Sequence, residues 1–273
     1  QSERQKIWRS EKMNSKMKVK IATAVVLIAI VVPVIILGGL PLKILVGIAS
    51  ALAGYEVANM QSEKSKWFTT VLNTAVIIAL YTFDVRFFPM IAAFYITILF
   101  AGVMVDEKVT AEYAAYSFTI VLIAGMALRG LFRLYDFEHG ALLMLYVALA
   151  TYICDTGAYF FGVFFGKHKL IPRVSPNKTV EGSVGGYASG AMVSMVFGML
   201  CIKELPVSLI VAGSLTLPLL AQLGDLSFSS IKRHFKIKDF GSIFPEHGGC
   251  LDRVDSLLFC LMFFNALLVL WGF

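Results

Sequence analysis

The sequence predicts an all-α, polytopic integral membrane protein of about nine transmembrane helices, with its N-terminus on the cytoplasmic side. Three observations carry that prediction. The 273 residues are 58% hydrophobic and only 15% charged, whereas soluble domains carry roughly one-quarter charged residues. The apolar residues gather in runs of about twenty, the length a helix needs to cross about 30 Å of hydrocarbon. The basic residues are distributed unevenly around those runs, and Lys and Arg favour the cytoplasmic side of a membrane.

The runs lie at approximately 20 to 39, 42 to 59, 67 to 84, 87 to 105, 112 to 133, 140 to 166, 182 to 202, 206 to 229 and 254 to 273. Each is read as a helix, because lipid offers no hydrogen-bond partner to an open backbone. The second run is the weakest. Tyr55, Glu56 and Asn59 make its end polar, which suits a tilted or re-entrant segment, and Glu56 near a helix end is expected to reach water. Gly182, Gly186 and Gly190 recur at every fourth position, the spacing of a close-packed helix face.

With the N-terminus inside, the outer side holds five basic residues, Lys43, Arg86, Arg129, Arg133 and Lys203, and the inner side holds the remaining 19 of 24. Arg129 and Arg133 are the local exceptions. The chain divides into a basic segment 1–19, an N-terminal membrane region 20–133 and a C-terminal region 134–273. The third region bears two long inner loops, 167–182 and 231–253, and is expected to be catalytic. The first segment does not begin with Met and is expected to be in part added or processed chain. Its Ile7 and Trp8 would also suit a basic helix lying in the membrane interface.

Composition also excludes some functions. In so apolar a chain a net charge of +6 reflects Lys and Arg held beside anionic lipid, not a nucleic-acid partner. The four cysteines form no CxxC pair and have no His at zinc spacing. No internal repeat is visible, which weighs against an ion-coupled transporter.

The chemistry-bearing residues cluster in the two inner loops and at the helix ends beside them. Asp252 and Asp255 are three apart at the start of the last run, so their carboxylates share one helix face. Together with Asp225 at the inner end of the preceding run they form a set of oxygen ligands for a hard cation, by default Mg²⁺, with a second cation left open. Lys232 and Arg233 would neutralise phosphate oxygens, and Gly248-Gly249 lets backbone approach a ligand closely. Taken singly, each Asp could be a helix cap and each basic residue a topology signal. Caps alone leave the Gly-Gly loop and the third Asp unexplained.

The other loop reads Ser175-Pro176-Asn177-Lys178-Thr179-Val180-Glu181-Gly182. Its hydroxyls, lysine and carboxylate just before a helix would grip phosphate or ribose; a turn with a capping residue is the plainer reading. Asp155 lies inside the sixth run. An Asp there costs on the order of 2.5–3.5 kcal/mol to insert, so it is expected to face a wet cavity or a partner.

These segments resemble the phosphatidate cytidylyltransferases, also called CDP-diacylglycerol synthases. The signature runs from Ser229 to Asp255: Ser-x-Ile-Lys-Arg, four residues, Lys-Asp-x-Gly, then Phe-Pro-x-His-Gly-Gly-x-x-Asp-Arg-Val-Asp. The Ser175–Gly182 and Asp155–Tyr159 segments are similar to the family as well. Cys250 departs from the pattern, where the family usually carries a bulky aliphatic residue.

The resemblance implies transfer of CMP from CTP to phosphatidic acid at the cytoplasmic face of a bacterial inner membrane or an equivalent membrane. It also implies a divalent cation and a homodimer. On this reading Asp225, Asp252 and Asp255 hold metal, and Asp155 binds metal or shapes a polar cavity. Lys178, Lys232 and Arg233 neutralise substrate charge. Ser175, Asn177, Thr179, Glu181, His247, Gly248, Gly249 and Arg253 contribute to substrate binding. Close alternatives are a CTP-dependent lipid kinase and a CDP-archaeol-type synthase.

Overall fold

The computed structural model of the chain describes residues 22–23, 25–60, 66–244 and 248–273. The basic segment 1–19, Lys64 and His247 lie outside them. Among the described residues there are nine α-helices: α1 (Val25–Leu37), α2 (Gly39–Ala58), α3 (Lys66–Thr82), α4 (Phe88–Val105), α5 (Ala111–Leu134), α6 (Gly140–Phe165), α7 (Val180–Cys201), α8 (Val207–His234) and α9 (Leu251–Leu270). Seven are long and apolar enough to cross a membrane, counting α4 with the single 3-10 turn Val85–Phe87 that precedes it. The chain is thus a multi-pass membrane protein. The break between α1 and α2 falls at Gly38 and Gly39, whose φ angles of +60° and +52° are left-handed and cost glycine little.

α6 and α7 lie backbone to backbone. A Cβ added to Gly182, Gly186 or Gly190 would fall 2.6, 2.5 or 2.8 Å from the carbonyl oxygens of Ala158, Cys154 and Ala150. The stripe spaced by four on α7 therefore matches a stripe spaced by four on α6. This packing fixes the backbone of α6 at Cys154, the neighbour of Asp155, against Gly186 of α7.

Two findings modify the expected picture. The segment 167–182 is not a plain loop. Strands β1 (Lys169–Ile171) and β2 (Ser175–Thr179) pair antiparallel, with Lys169 opposite Thr179 and Ile171 opposite Ser175. The otherwise all-α chain thus carries a small hairpin. Next, α8 does not stop near residue 229. It has 28 residues, about 42 Å at 1.5 Å per residue, so its last turns extend beyond the thickness of the hydrocarbon core. Phe228, Ile231 and Lys232 are buried there, and their packing keeps the end helical. Lys232 and Arg233 consequently sit on a rigid helix and not in a loop.

At the opposite end of the bundle, the two exceptional arginines serve helix ends. Arg129 donates to the Phe83 carbonyl (2.6 Å) and Arg133 to the Asn265 side chain (3.1 Å).

Candidate active site

Four elements converge at the polar end of the bundle. α8 presents Asp225, Ser229 and Lys232, spaced by four and three and so on one helical face. α9 presents Asp252, Asp255 and Ser256 by the same rule. α6 contributes Asp155, and β2 brings Lys178 over the top.

The Lys178 ammonium pairs with Asp225 Oδ2, and the Ser229 hydroxyl donates to Asp225 Oδ1 at 3.3 Å. Lys232 is 7% exposed. Its Nζ donates to Asp252 Oδ1 at 2.7 Å and stands 3.9 Å from Asp255 Oδ2. A buried ammonium needs such partners, because desolvation alone would cost several kcal/mol. Asp252 Oδ2 accepts the amides of Phe240 (2.8 Å) and Gly249 (2.9 Å). Asp255 Oδ1 accepts the Ser256 amide at 2.8 Å. Asp225 lies close enough to Asp155 and Asp255 for the three carboxylates to repel one another.

The cluster therefore holds four carboxylates against two ammonium groups. That leaves two negative charges in excess, with oxygen donors only, which is the donor chemistry a divalent hard cation takes. Asp155 and Asp255 are the less committed carboxylates, whereas Asp225 is engaged on one oxygen by Lys178 and on the other by the Ser229 hydroxyl. Both oxygens of Asp252 are already engaged, by Lys232 and by main-chain amides. Among the described residues, the donors whose ligand atoms all lie within 4.8 Å of one another are Glu138, His139 and Glu204, at the other end of α6. There Glu204 accepts from the His139 amide at 3.0 Å, which accounts for it as a tie to the start of that helix.

The remaining expected residues are placed less uniformly. Thr179 caps α7 by accepting the Gly182 amide at 3.1 Å. Glu181 accepts the amides of Lys167 (3.0 Å) and His168 (3.2 Å) and the His168 ring (2.6 Å), so its carboxylate ties the hairpin to α7. Arg233 donates to the carbonyls of Val174 (3.4 Å) and Ile237 (3.1 Å), fastening the hairpin turn to α8. Ser175 is half-buried, and Asn177 and Arg253 are exposed. Gly248 has a φ of +85°, and a Cβ there would lie 3.0 Å from Asp252 Oδ2. Gly248 thus makes room for an acid of the cluster itself.

Sequence reasoning underweighted two groups. Ser256 carried no signal of its own beyond its spacing from Asp252. Glu56 does not reach water: it is 0% exposed, and it accepts the amides of Cys250 (2.6 Å) and Leu251 (2.8 Å). The expectation that it snorkels is corrected; the start of α9 closes over it and supplies the partners that solvent would have given.

The lysines and carboxylates gathered from α6, α8, α9 and β2 have the chemistry to take a divalent cation and phosphate oxygens. The comparisons supply the class. Residues 18–271 match the cytidylyltransferase family. The chain is 34% identical over 261 residues to the phosphatidate cytidylyltransferase of Staphylococcus aureus strain COL, covering 93% of this chain and 99% of that protein. It is 31% identical to that of Staphylococcus haemolyticus strain JCSC1435, at the same coverage, and 34% identical over 264 residues to that of Staphylococcus epidermidis. The chain belongs to the cytidylyltransferase family and is a nucleotidyltransferase.

Proposed function

We propose that this enzyme transfers CMP from CTP to phosphatidic acid, giving CDP-diacylglycerol and pyrophosphate for phospholipid synthesis. The carrying observation is the cluster of Asp155, Asp225, Asp252 and Asp255 with Lys178 and Lys232, set where a helix bundle meets its polar loops. The site is proposed to face the cytoplasm of a bacterial inner membrane or an equivalent membrane, in a homodimer. Lys167, Lys169, Arg173, Lys236 and Lys238 lie around the same end, and that excess of cations supports the orientation.

The phosphate of phosphatidic acid is ionised at neutral pH, so no strong general base is needed. One of its oxygens attacks the α-phosphorus of CTP. A new P–O bond forms there, the bond to the oxygen bridging the β-phosphorus breaks, and pyrophosphate leaves. The barrier lies in bringing two polyanions together, so positioning and electrostatics dominate. Asp225 and Asp255, with Asp155 and Asp252, would hold Mg²⁺ and leave room for a second cation; the metal supplies charge neutralisation on phosphate oxygens.

Lys178 is 27% exposed on its side chain and is the ammonium that an incoming triphosphate meets first. Arg233, exposed at the end of α8 and bonded to the hairpin turn, adds positive charge at the same end of the bundle. Buried Lys232 keeps Asp252 and Asp255 from repelling each other. Ser175 and Asn177, which precede Lys178 on β2, would contribute to substrate binding.

The test is pyrophosphate release by the purified protein in detergent. The reading expects release that requires CTP, phosphatidic acid and Mg²⁺ together. Release of CDP instead would indicate a lipid kinase, and absence of CTP turnover would contradict the assignment.

A further inference from the structure

We infer that Glu56, from the N-terminal half of the chain, is a positioning residue of this reaction centre. It sits in the last turn of α2 (Gly39–Ala58) and is fully buried. That is the unfavourable end of its own helix for a negative charge, since a helix C-terminus carries partial negative charge. Among the described residues its partners are main-chain amides and not a cation. Glu56 Oε1 accepts the Cys250 amide at 2.6 Å, and Oε2 accepts the Leu251 amide at 2.8 Å. These are the amides at the start of α9, which have no partner inside the helix and lie at its positive end. The acid is thus misplaced for α2 and well placed for α9.

The surrounding chain is cut to fit it. A Cβ on Gly249 would lie 2.5 Å from Glu56 Oε1, and a Cβ on Gly241 2.8 Å from the same atom. Both loop strands close over the carboxylate only because neither bears a side chain there. One residue beyond Leu251 stands Asp252, whose Oδ2 holds the amides of Gly249 (2.9 Å) and Phe240 (2.8 Å). The loop is therefore pinned from both sides, by Glu56 below and Asp252 within. Moving Glu56 moves the first turn of α9, and with it Asp252, Asp255 and the pairing of both with Lys232.

The inference rests on the proposed transferase reading, and its test separates the two. Purified Glu56→Gln protein keeps the volume and one acceptor, but its amide NH₂ opposes one of the two backbone N–H groups. Expected is a fall in kcat of about ten- to 100-fold, the usual effect of losing a group that orients ligands. The KM for phosphatidic acid should stay within about twofold. Mn²⁺ affinity, read by electron paramagnetic resonance without substrate, should weaken by a similar about ten- to 100-fold factor. Glu56→Asp, which shortens the reach by one methylene, and Gly249→Ala, which pushes a methyl at the same carboxylate, should both reproduce part of the loss. They carry the test if Glu56→Gln does not survive purification. Normal kcat and Mn²⁺ affinity per folded molecule in the variants, at any melting temperature, would reduce Glu56 to a fold staple and overturn the inference. A wild-type protein that binds Mn²⁺ but does not consume CTP would instead sink the functional reading, with the Glu56 effect on Mn²⁺ still measurable.

Discussion

Asp252→Asn should destabilise the folded protein by about 3–5 kcal/mol, and the size follows from what each oxygen does. Oδ1 receives buried Lys232 at 2.7 Å and Oδ2 receives two amides at 2.8 and 2.9 Å. Asparagine has one acceptor oxygen. With that oxygen toward Phe240 and Gly249, its NH₂ faces the Lys232 ammonium and a buried ion pair is broken, which costs about 3–5 kcal/mol. With the oxygen toward Lys232, both amides lose a charged acceptor, at about 1.5–3 kcal/mol each. Neither rotamer escapes a loss near 3 kcal/mol. At roughly 2–4 °C per kcal/mol for a chain of this size, the melting temperature in detergent, followed by intrinsic fluorescence, should drop by about 6–20 °C. Adding Lys232→Met removes the opposed ammonium, so the double variant should lose at least about 1 kcal/mol less than the two single losses together. A single variant melting within about 2 °C of wild type, or strict additivity in the double, would refute the described bonding.

Other expectations concern activity more than stability. Asp255→Asn should lower kcat on the order of 100-fold, with a smaller melting shift than Asp252→Asn, since Asp255 makes only a neighbouring amide bond and a 3.9 Å approach to Lys232; near-normal turnover would remove it from the proposed metal set. Lys178→Ala should lower kcat/KM for CTP about tenfold or more, and unchanged kinetics would make its pair with Asp225 purely structural. Chelation by EDTA should abolish turnover and added Mg²⁺ restore it, whereas full activity in EDTA would contradict a divalent requirement. Gly186→Leu forces a side chain into backbone, with its Cβ 2.5 Å from the Cys154 carbonyl, and should cost about 1–3 kcal/mol in the same melting assay; no shift would mean that α6 and α7 are not in backbone contact.

Much of the architecture is legible in the apolar runs, because a bilayer imposes helix length and backbone closure with little freedom. The stripe Gly182, Gly186, Gly190 likewise announces its packing role by spacing alone. The site's acids and lysines are legible as types and spacings, since one helix face gathers Asp225, Ser229 and Lys232 and another gathers Asp252, Asp255 and Ser256. What the residues do not reveal is how they are occupied. Thr179 and Glu181 read as substrate ligands, yet their oxygens hold backbone amides. The hairpin escapes notice because strands of three and five residues, one containing Pro176, are too short to show alternation. The end of α8 is hidden because its last turns are polar in sequence while Ile231 and Lys232 are buried in space. Glu56 is the clearest case: its partners lie 194 and 195 residues away, and no local pattern encodes that distance.

The central claim is that this site moves the cytidylyl group and not a terminal phosphate, and label transfer tests it directly. Purified protein would be given phosphatidic acid, Mg²⁺ and CTP labelled with ³²P at either the α- or the γ-phosphate, and the organic phase counted. The account predicts label in lipid from α-labelled CTP alone, with that transfer cut on the order of 100-fold by Asp255→Asn. Lipid labelled from γ-labelled CTP, or α-label transfer undiminished by Asp255→Asn, would contradict it.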